Sequence, residues 1–392
     1  MPFTAKQQEY FEKATHRWNI KTGATRSGKT FMDYYVIPKR IKSVRNKSGL
    51  IVILGNTKST LQRNVIEPMQ IIWGDKLVGN IKSDNTAILF GEKCYCLGAD
   101  KVSQVNKLRG AGIKYCYGDE VVTWNEEVFQ MLKSRLDKPY SKFDGTCNPD
   151  NPNHWFHEFL QSDADIYNEH YTIYDNEYLS PDVIKSLETE YRGTVFFDRY
   201  ILGEWALAEG LIYPIYQSAI VPTIEREYEK YKVSMDYGTQ NATSMGLYGL
   251  CQGVWYCIRE YYYSGRKTNK QKTDDEYYND LCEFVGDLNV KDIIIDPSAA
   301  SFITLVKKKL RFNVIKANNE VLDGIRQTAS AINTGLIKIN DCCVNGIKEL
   351  SSYVWQENEK EDAPVKVNDH FCDQLRYFVY TEIFNKKELR WG

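Results

Sequence analysis

The sequence predicts an α/β protein built as two successive domains, and three observations carry this. Gly23 to Thr30 reads GATRSGKT, framed by an apolar strand pattern before it and a helix pattern after it. Strand and helix signals then alternate as far as Gly203, the order of a parallel sheet covered by helices on both faces. Beyond that point three apolar-alternating runs separated by turn residues open a second region with a different logic. The expected division is residues 1–209, a connector 210–228, and residues 229–392.

Each element follows from its own residues. HRWNIKTG is a short strand feeding the glycine loop, and Lys29 to about Arg45 reads as helix. GLIVILG (Gly49 to Gly55) is a continuous apolar run, as expected for a strand buried on both sides. IKYCYGDE is a strand ending in acids, and SKFDGTCNPD another ending in a turn. The stretch after Gly203, GEWALAEGLIYPIYQSAIVPT, is punctuated by Gly and Pro without a clear period. YKVSMDYGTQNATSMGLYGLCQGVWYCIREYYY then gives an antiparallel meander. A helix (DDEYYNDLCEFVGDLN), a buried strand (KDIIIDP), a helix (FITLVKKKL), a strand (FNVIKAN) and further helices complete the chain. A meander followed by alternating strands and helices is the order of an RNase H-like fold.

Composition narrows the function. With 392 residues the chain is long enough for two cores, and its net charge of −2 gives no overall nucleic-acid signal. No apolar run approaches the roughly 18 residues of a membrane span. The opening residues MPFTAKQQEYFEKATHRW are polar and mixed in charge, unlike a signal peptide, so a cytosolic protein is expected. The ten cysteines offer only Cys94-x-Cys96 and adjacent Cys342-Cys343, and are read as reduced and mostly buried. His154-x-x-His157 lacks a third metal ligand at a suitable spacing and reads as part of a helix. Local basic clusters, Arg266, Lys267, Lys270 and Lys272 in one and Lys307, Lys308, Lys309 and Arg311 in the other, either track phosphates or form a solvated loop and helix face.

The glycine loop is the strongest chemical signal. Glycines let backbone N–H groups close around phosphates, a lysine reaches the outer phosphates, and a hydroxyl holds Mg²⁺. Gly23 and Gly28 supply the turns, Lys29 the charge and Thr30 the hydroxyl, with Ser27 beside them. Arg26 adds a positive charge near the phosphates or faces solvent. The partner of such a loop is a strand ending in an acid that positions Mg²⁺, here Asp119, with Glu120 next to it to orient and deprotonate the attacking water. Thr146, Cys147 and Asn148 end a strand with a hydroxyl and an amide able to sense the γ-phosphate. Gln8, or its neighbour Gln7, is suited to hydrogen-bonding adenine edges. ATP with Mg²⁺ is the expected ligand.

A second acidic set follows in the C-terminal half. An RNase H-like nuclease holds two divalent ions, Mg²⁺ or Mn²⁺, about 4 Å apart with carboxylates from its first strand, its fourth strand and a late helix. Asp236 lies in SMDYG on the first strand of the meander, and Asp296 ends IIIDP. In VNDHFCDQLRYFVY, Asp369 and Asp373 stand one turn apart on one helix face. Asp373 is preferred over Asp369 as the ligand because it lies deeper in the apolar helix, and His370 either handles protons or sits at the surface.

These residues together resemble one family, the large terminase subunit of tailed bacteriophages. The resemblance rests on WNIKTGATRSGKT, KLRGAGIKYCYGDEV, GTCNPDNPNHWFHEF, GEWALAEGLIYPIY, SMDYGTQNAT, IIIDPSAASF and DHFCDQLRY, in that order over nearly the whole chain. It implies an N-terminal P-loop ATPase of RecA/ASCE type that drives double-stranded DNA into a procapsid. It also implies a C-terminal RNase H-like endonuclease that cuts concatemeric DNA. By the resemblance, Lys29 and Thr30 match the phosphate loop, Asp119 the Mg²⁺ ligand and Glu120 the catalytic carboxylate. Thr146 to Asn148 match a coupling motif, and Asp236, Asp296 and Asp373 the nuclease triad. The implied partners are the portal protein, the small terminase subunit and copies of the chain in a ring, acting in the host cytoplasm without membrane attachment. Two departures stand out: Arg26 falls one position later than the loop arginine of many relatives, and only Arg109 offers itself as an arginine finger. Two other classes are consistent with parts of the pattern, a helicase-like DNA-dependent ATPase and an assembly ATPase whose second domain only binds DNA or a partner.

Overall fold

The computed structural model describes residues 3–105, 110–238, 242–265, 270–357 and 361–384. The chain divides into two compact units, one of residues 1–184 and 197–207, the other of residues 185–196 and 208–392.

The first unit is built on a seven-stranded sheet: β1 (Trp18–Gly23), β2 (Leu50–Gly55), β3 (Thr86–Leu89), β4 (Glu92–Gly98), β5 (Ile113–Gly118), β6 (Lys142–Cys147) and β7 (Ile166–Tyr171). Their order is β3-β4-β2-β5-β6-β1-β7, and every neighbouring pair is parallel except β3 with β4. The continuous apolar run of β2 is explained by its place inside this sheet. Ile51 and Ile53 join the core on one face, and Val52 and Leu54 join the core on the other. The Cys94-x-Cys96 spacing is the same two-residue alternation on β4, which puts both thiols into one core. Strands β3, β4 and β7 are absent from the sequence reading, because their mixed polarity lacks a clear period. All ten cysteines are free thiols. His154 accepts the Phe156 N–H at the start of helix Trp155–Leu160, and His157 stacks on Trp205 with ring centres 4.5 Å apart.

The second unit holds β8 (Ile220–Val221), β9 (Lys230–Asp236), β10 (Thr243–Cys251), β11 (Val254–Tyr263), β12 (Val290–Ile295), β13 (Asn313–Lys316) and β14 (Ile337–Asn340). The order is β13-β12-β9-β10-β11-β14-β8. The meander β9-β10-β11 is antiparallel, and the remaining neighbours are parallel. Residues 210–228, expected as a connector, are tied into this unit: Ile212 N–H donates to Tyr353 O at 2.8 Å, and β8 pairs with β14.

The two faces of this sheet are made differently. Val233, Met235, Met245 and Leu247 face a core shared with helices Asp274–Val285 and Ala300–Lys309. The opposite face carries Ser234, Ser244 and Gly246, small enough for helix His370–Phe378 to lie close. Ser234 Oγ donates to Gln374 O at 2.7 Å, and a Cβ on Gly246 would stand 2.5 Å from the Gln374 side chain. Small residues on one face therefore decide how near the late helix comes to the strand ends.

Candidate functional site

In a parallel sheet the carboxyl ends of the strands share one edge, and the segments leaving them form a crevice. In the first unit β1, β6 and β5 are neighbours, so the glycine loop, Thr146–Asn148 and Asp119–Glu120 all leave that edge together.

The loop is shaped by its glycines for two separate reasons. Gly28 has φ 84° and starts helix Lys29–Ser43 from the left-handed region. Gly23 has φ 147°, and a Cβ there would stand 2.0 Å from Tyr171 O, so it is required by the packing against β7. Arg26 also has positive φ (56°), and its side chain is exposed. Ser27 is buried with no hydrogen-bond partner for its Oγ, and Thr30 is half-buried. Such an orphaned hydroxyl inside a glycine loop suits a phosphate oxygen.

Lys29 is buried, and its ammonium donates to Gly23 O (3.2 Å), Ala24 O (2.8 Å) and Asn148 Oδ1 (2.6 Å). Burial pulls it down to about 8. Asp119 is buried too, and its carboxyl is pushed up to about 7 by burial and then by Glu120 and Asp33. Thr146 Oγ1 donates to Asp119 Oδ1 (3.4 Å) and accepts the Glu120 N–H (3.3 Å). Glu120 holds φ 49°, a conformation costly for a residue with a Cβ and one often kept where a site needs it. Cys147 is a core thiol raised to about 12 by burial.

Of the two glutamines, Gln7 rather than Gln8 reaches the loop. Gln7 is buried, closes a capping box with Thr4 and donates Nε2 to Gly28 O at 3.0 Å, whereas Gln8 is exposed and bonds Phe3 O. Behind the loop lies a pair absent from the sequence reading. Lys21 Nζ and Asp33 Oδ1 are 2.6 Å apart with both side chains fully buried, Tyr117 OH donates to Asp33, and the Tyr10 ring lies 3.9 Å from the ammonium. A lysine inside a strand buried on both faces was the available signal, since such a charge needs a partner. Arg109 lies outside the described residues.

In the second unit Asp236 ends β9 and Asp296 follows β12. Because Met235 pairs with Ile295 in parallel register, these acids leave adjacent strand ends. A cavity of about 500 Å³ is lined by Asp236, Tyr262, Lys366, Asp369, His370 and Asp373, and Asp296 stands outside that lining. His370 Nδ1 and Asp236 Oδ2 are 2.8 Å apart. Burial raises the Asp236 carboxyl against that bond, and the bond raises His370 against its own burial. Asp369 is the more enclosed of the two helix acids. Its Oδ2 has no hydrogen bond and lies 3.5 Å from Lys366 Nζ, while Asp373 is gripped by Arg376 at 2.8 Å. For Asp296, hydrogen bonds from Ser298, Tyr377 and Asn319 outweigh burial and hold its carboxyl below the usual range. Among the described residues no group of three or more His, Cys, Asp or Glu side chains is disposed to hold a metal ion. The donor chemistry nonetheless suits a hard divalent cation, since Asp369 Oδ2, without a hydrogen bond and 3.5 Å from Lys366 Nζ, shares the cavity with the Asp236 and Asp373 carboxylates.

The basic clusters separate. Lys272 is paired with Asp280 at 2.5 Å and lies over the Tyr263 ring, and Lys270 pairs with Glu276 at 3.3 Å. Lys307 and Lys308 are exposed on the last turn of helix Ala300–Lys309, where cations complement the helix dipole. Arg266 and Lys267 lie outside the described residues. No helix among the described residues is long and apolar enough to cross a membrane.

With a glycine loop and an acid-ended strand at one edge of the parallel-dominant sheet in the first unit, and a second mixed sheet in the other, the chain is a two-unit α/β protein. Residues 21–220 match the family model "Terminase large subunit, T4likevirus-type, N-terminal". The chain belongs to the large terminase family. It is 40% identical to the large terminase of a thermophilic bacteriophage, with a TM-score of 0.86 over 98% of this chain and 100% of that one. The same relative in complex with ATP-gamma-S gives a TM-score of 0.82 at 40% identity, covering 97% of this chain and 100% of that one. The terminase large subunit of Escherichia phage T5 is 25% identical over 276 residues, 64% of this chain. That match spans 60% of the T5 protein's length.

Proposed function

We propose that this chain is the ATP-hydrolysing subunit of a viral DNA-packaging motor, and that its second unit cuts DNA with divalent cations. The observation that carries the motor reading is the convergence of Lys29, Asp119, Glu120 and Thr146 on one sheet edge. The ATP-gamma-S complex of the thermophilic-phage relative supports ATP as the nucleotide. In this reading Lys29 exchanges one of its present acceptors for a phosphate oxygen, and Ser27 Oγ finds the partner it lacks. Glu120 orients the attacking water and takes its proton. Thr30 and Asp119 would hold Mg²⁺, which when bound neutralises phosphate charge. Because Asn148 bonds Lys29 and Thr146 bonds the Asp119 carboxyl and the Glu120 backbone N–H, a change at the phosphates moves β6, the step by which hydrolysis is coupled to translocation of double-stranded DNA.

Support for the nuclease comes from the order β11-β10-β9-β12-β13, a meander with two parallel strands beyond its first, as in RNase H-like folds. Asp236, Asp369 and Asp373 would hold the cations, with Asp296 on the next strand end, and when bound these supply water activation and leaving-group stabilisation. Lys307 and Lys308 are available for DNA. The portal protein, the small terminase subunit, further copies of the chain in a ring, and action in the host cytoplasm belong to the same proposal.

Replacing Glu120 with alanine tests the motor: DNA-stimulated ATP turnover disappears while nucleotide binding persists, and unchanged turnover refutes the role. Asp236→Asn tests the nuclease through Mn²⁺-dependent nicking of supercoiled plasmid. Nicking that survives this variant favours the competing reading, a second unit that only grips DNA or a partner. The paired state of Asp296 and Asp373 is the observation on that side.

A further inference from the structure

We propose that Glu349 is a positioning residue for the acidic site: it caps helix His370–Phe378 in place of Asp369 and so leaves the Asp369 carboxylate facing the cavity. The inference rests on the nuclease reading above.

A helix begins with backbone N–H groups that lack intrahelical partners, and the side chain at the N-cap position ordinarily accepts those of the second and third residues. Here the N-cap residue is Asp369, a residue type well suited to the task, yet it makes no capping hydrogen bond. The second and third residues are Phe371 and Cys372. Their N–H groups donate instead to Glu349 Oε2, at 2.6 and 3.4 Å, from the separate helix Val344–Leu350. Asp369 Oδ2 is left without a hydrogen bond, and Asp369 lines the cavity with Asp236 and Asp373.

Other contacts fix Glu349 in this role. It is 4% exposed, so its oxygens depend on these hydrogen bonds rather than on water. Its Oε1 accepts from Tyr262 OH at 2.8 Å, and Tyr262 is itself a wall of the cavity with its ring edge-on to His370. One turn earlier, a Cβ on Gly346 would stand 2.5 Å from the Phe371 ring. The absence of a side chain there lets the two helices come close enough for the carboxylate to reach. With Glu349 removed, the two freed N–H groups would be left to Asp369, the N-cap side chain, which would turn away from the cavity to cap its own helix.

The test uses full-length protein and Mn²⁺ alone as the probe. Binding is read from the loss of the free Mn²⁺ electron paramagnetic resonance signal, alongside the Mn²⁺ dependence of plasmid nicking. Glu349→Ala is expected to weaken Mn²⁺ binding about tenfold, the range found when outer-shell partners of metal ligands are removed. Glu349→Gln, which keeps an acceptor oxygen, should recover most of it. If the alanine variant does not fold, Glu349→Asp, one methylene too short to reach the amides, carries the same expectation. Adding Asp369→Asn to Glu349→Ala should cost little more, whereas Asp369→Asn alone costs as much as Glu349→Ala. Wild-type Mn²⁺ affinity in folded Glu349→Ala, or full additivity of the two changes, overturns the role of Glu349. Wild-type protein that binds no Mn²⁺ overturns the nuclease reading and this role with it.

Discussion

Replacing Asn148 with alanine is expected to tighten the binding of ADP. The Lys29 ammonium has three donors and presently spends them on Gly23 O, Ala24 O and Asn148 Oδ1. A phosphate can join only by displacing one acceptor. The two carbonyls belong to the loop itself, so the Asn148 side chain is the acceptor free to leave. A hydrogen bond to a charged group contributes about 1.5–3 kcal/mol. If the bond is lost on binding, removing it beforehand favours the bound state by up to that amount, and the low end alone corresponds to about tenfold in Kd. Titration of a fluorescent ADP analogue by the wild-type and Asn148→Ala proteins measures this directly. An Asn148→Asp variant should run the other way, since a carboxylate holds the ammonium more tightly. Unchanged or weaker binding by Asn148→Ala would refute the reasoning and leave Asn148 acting on the bound nucleotide instead.

Nucleotide affinity should also fall as pH rises through about 8, where Lys29 loses its proton. The phosphate's own ionisation is complete by then, its second pKa being about 6. The sign for the unliganded fold is opposite: with Lys29 lowered from 10.5 to about 8, the folded state binds fewer protons than the unfolded one between those values, so this group adds stability as pH rises across that window. Binding and thermal melts at pH 7, 8 and 9 check both signs. Asp33→Asn strands the fully buried Lys21 ammonium and should destabilise the first unit by about 3–5 kcal/mol, while Lys21→Met with Asp33→Leu should lie close to wild type. Urea unfolding of the single and double variants decides between an uncompensated charge and a packing defect. Gly203→Ala should cost more than about 1 kcal/mol, because φ is 76° and the new Cβ would meet Tyr171 O at 2.3 Å and Ala24 N at 2.8 Å. Weakened ADP binding should accompany that loss, since Ala24 belongs to the glycine loop proposed to hold the phosphates.

Several parts of the site were legible from local chemistry. The loop, Asp119 and Glu120, and the meander with Asp236 are each marked by residues adjacent in sequence, and the structure finds each where its strand ends. Which glutamine reaches the loop was legible only in part: the Thr4-x-x-Gln7 capping box identifies Gln7 as the residue turned inward. The preference for Asp373 over Asp369 assumed that depth along an apolar helix means depth in the protein. Asp369 is in fact the more enclosed, because the segment leading into the helix, with Lys366, folds over it. Residues 210–228 lack a sequence period because they hold only a single helical turn and the two-residue β8, and bond piecemeal to β14 and Tyr353.

By itself the sequence determined the strands with a clear apolar pattern, where the glycine loop lies and which acids terminate strands, since these depend on residues within a few positions of one another; β3, β4 and β7 carry no such pattern. Only the tertiary structure decided that β6 separates β1 from β5, which brings Asn148 to Lys29 and Thr146 to the Asp119 carboxyl and the Glu120 backbone N–H. It alone decided that Lys21 meets Asp33 and that Glu349 caps a helix twenty-one residues away at His370. The physical reason is the same throughout. A strand or a loop is specified by local backbone preference, whereas the partner of a buried charge is specified by which surfaces pack together, and no short stretch of sequence carries that information.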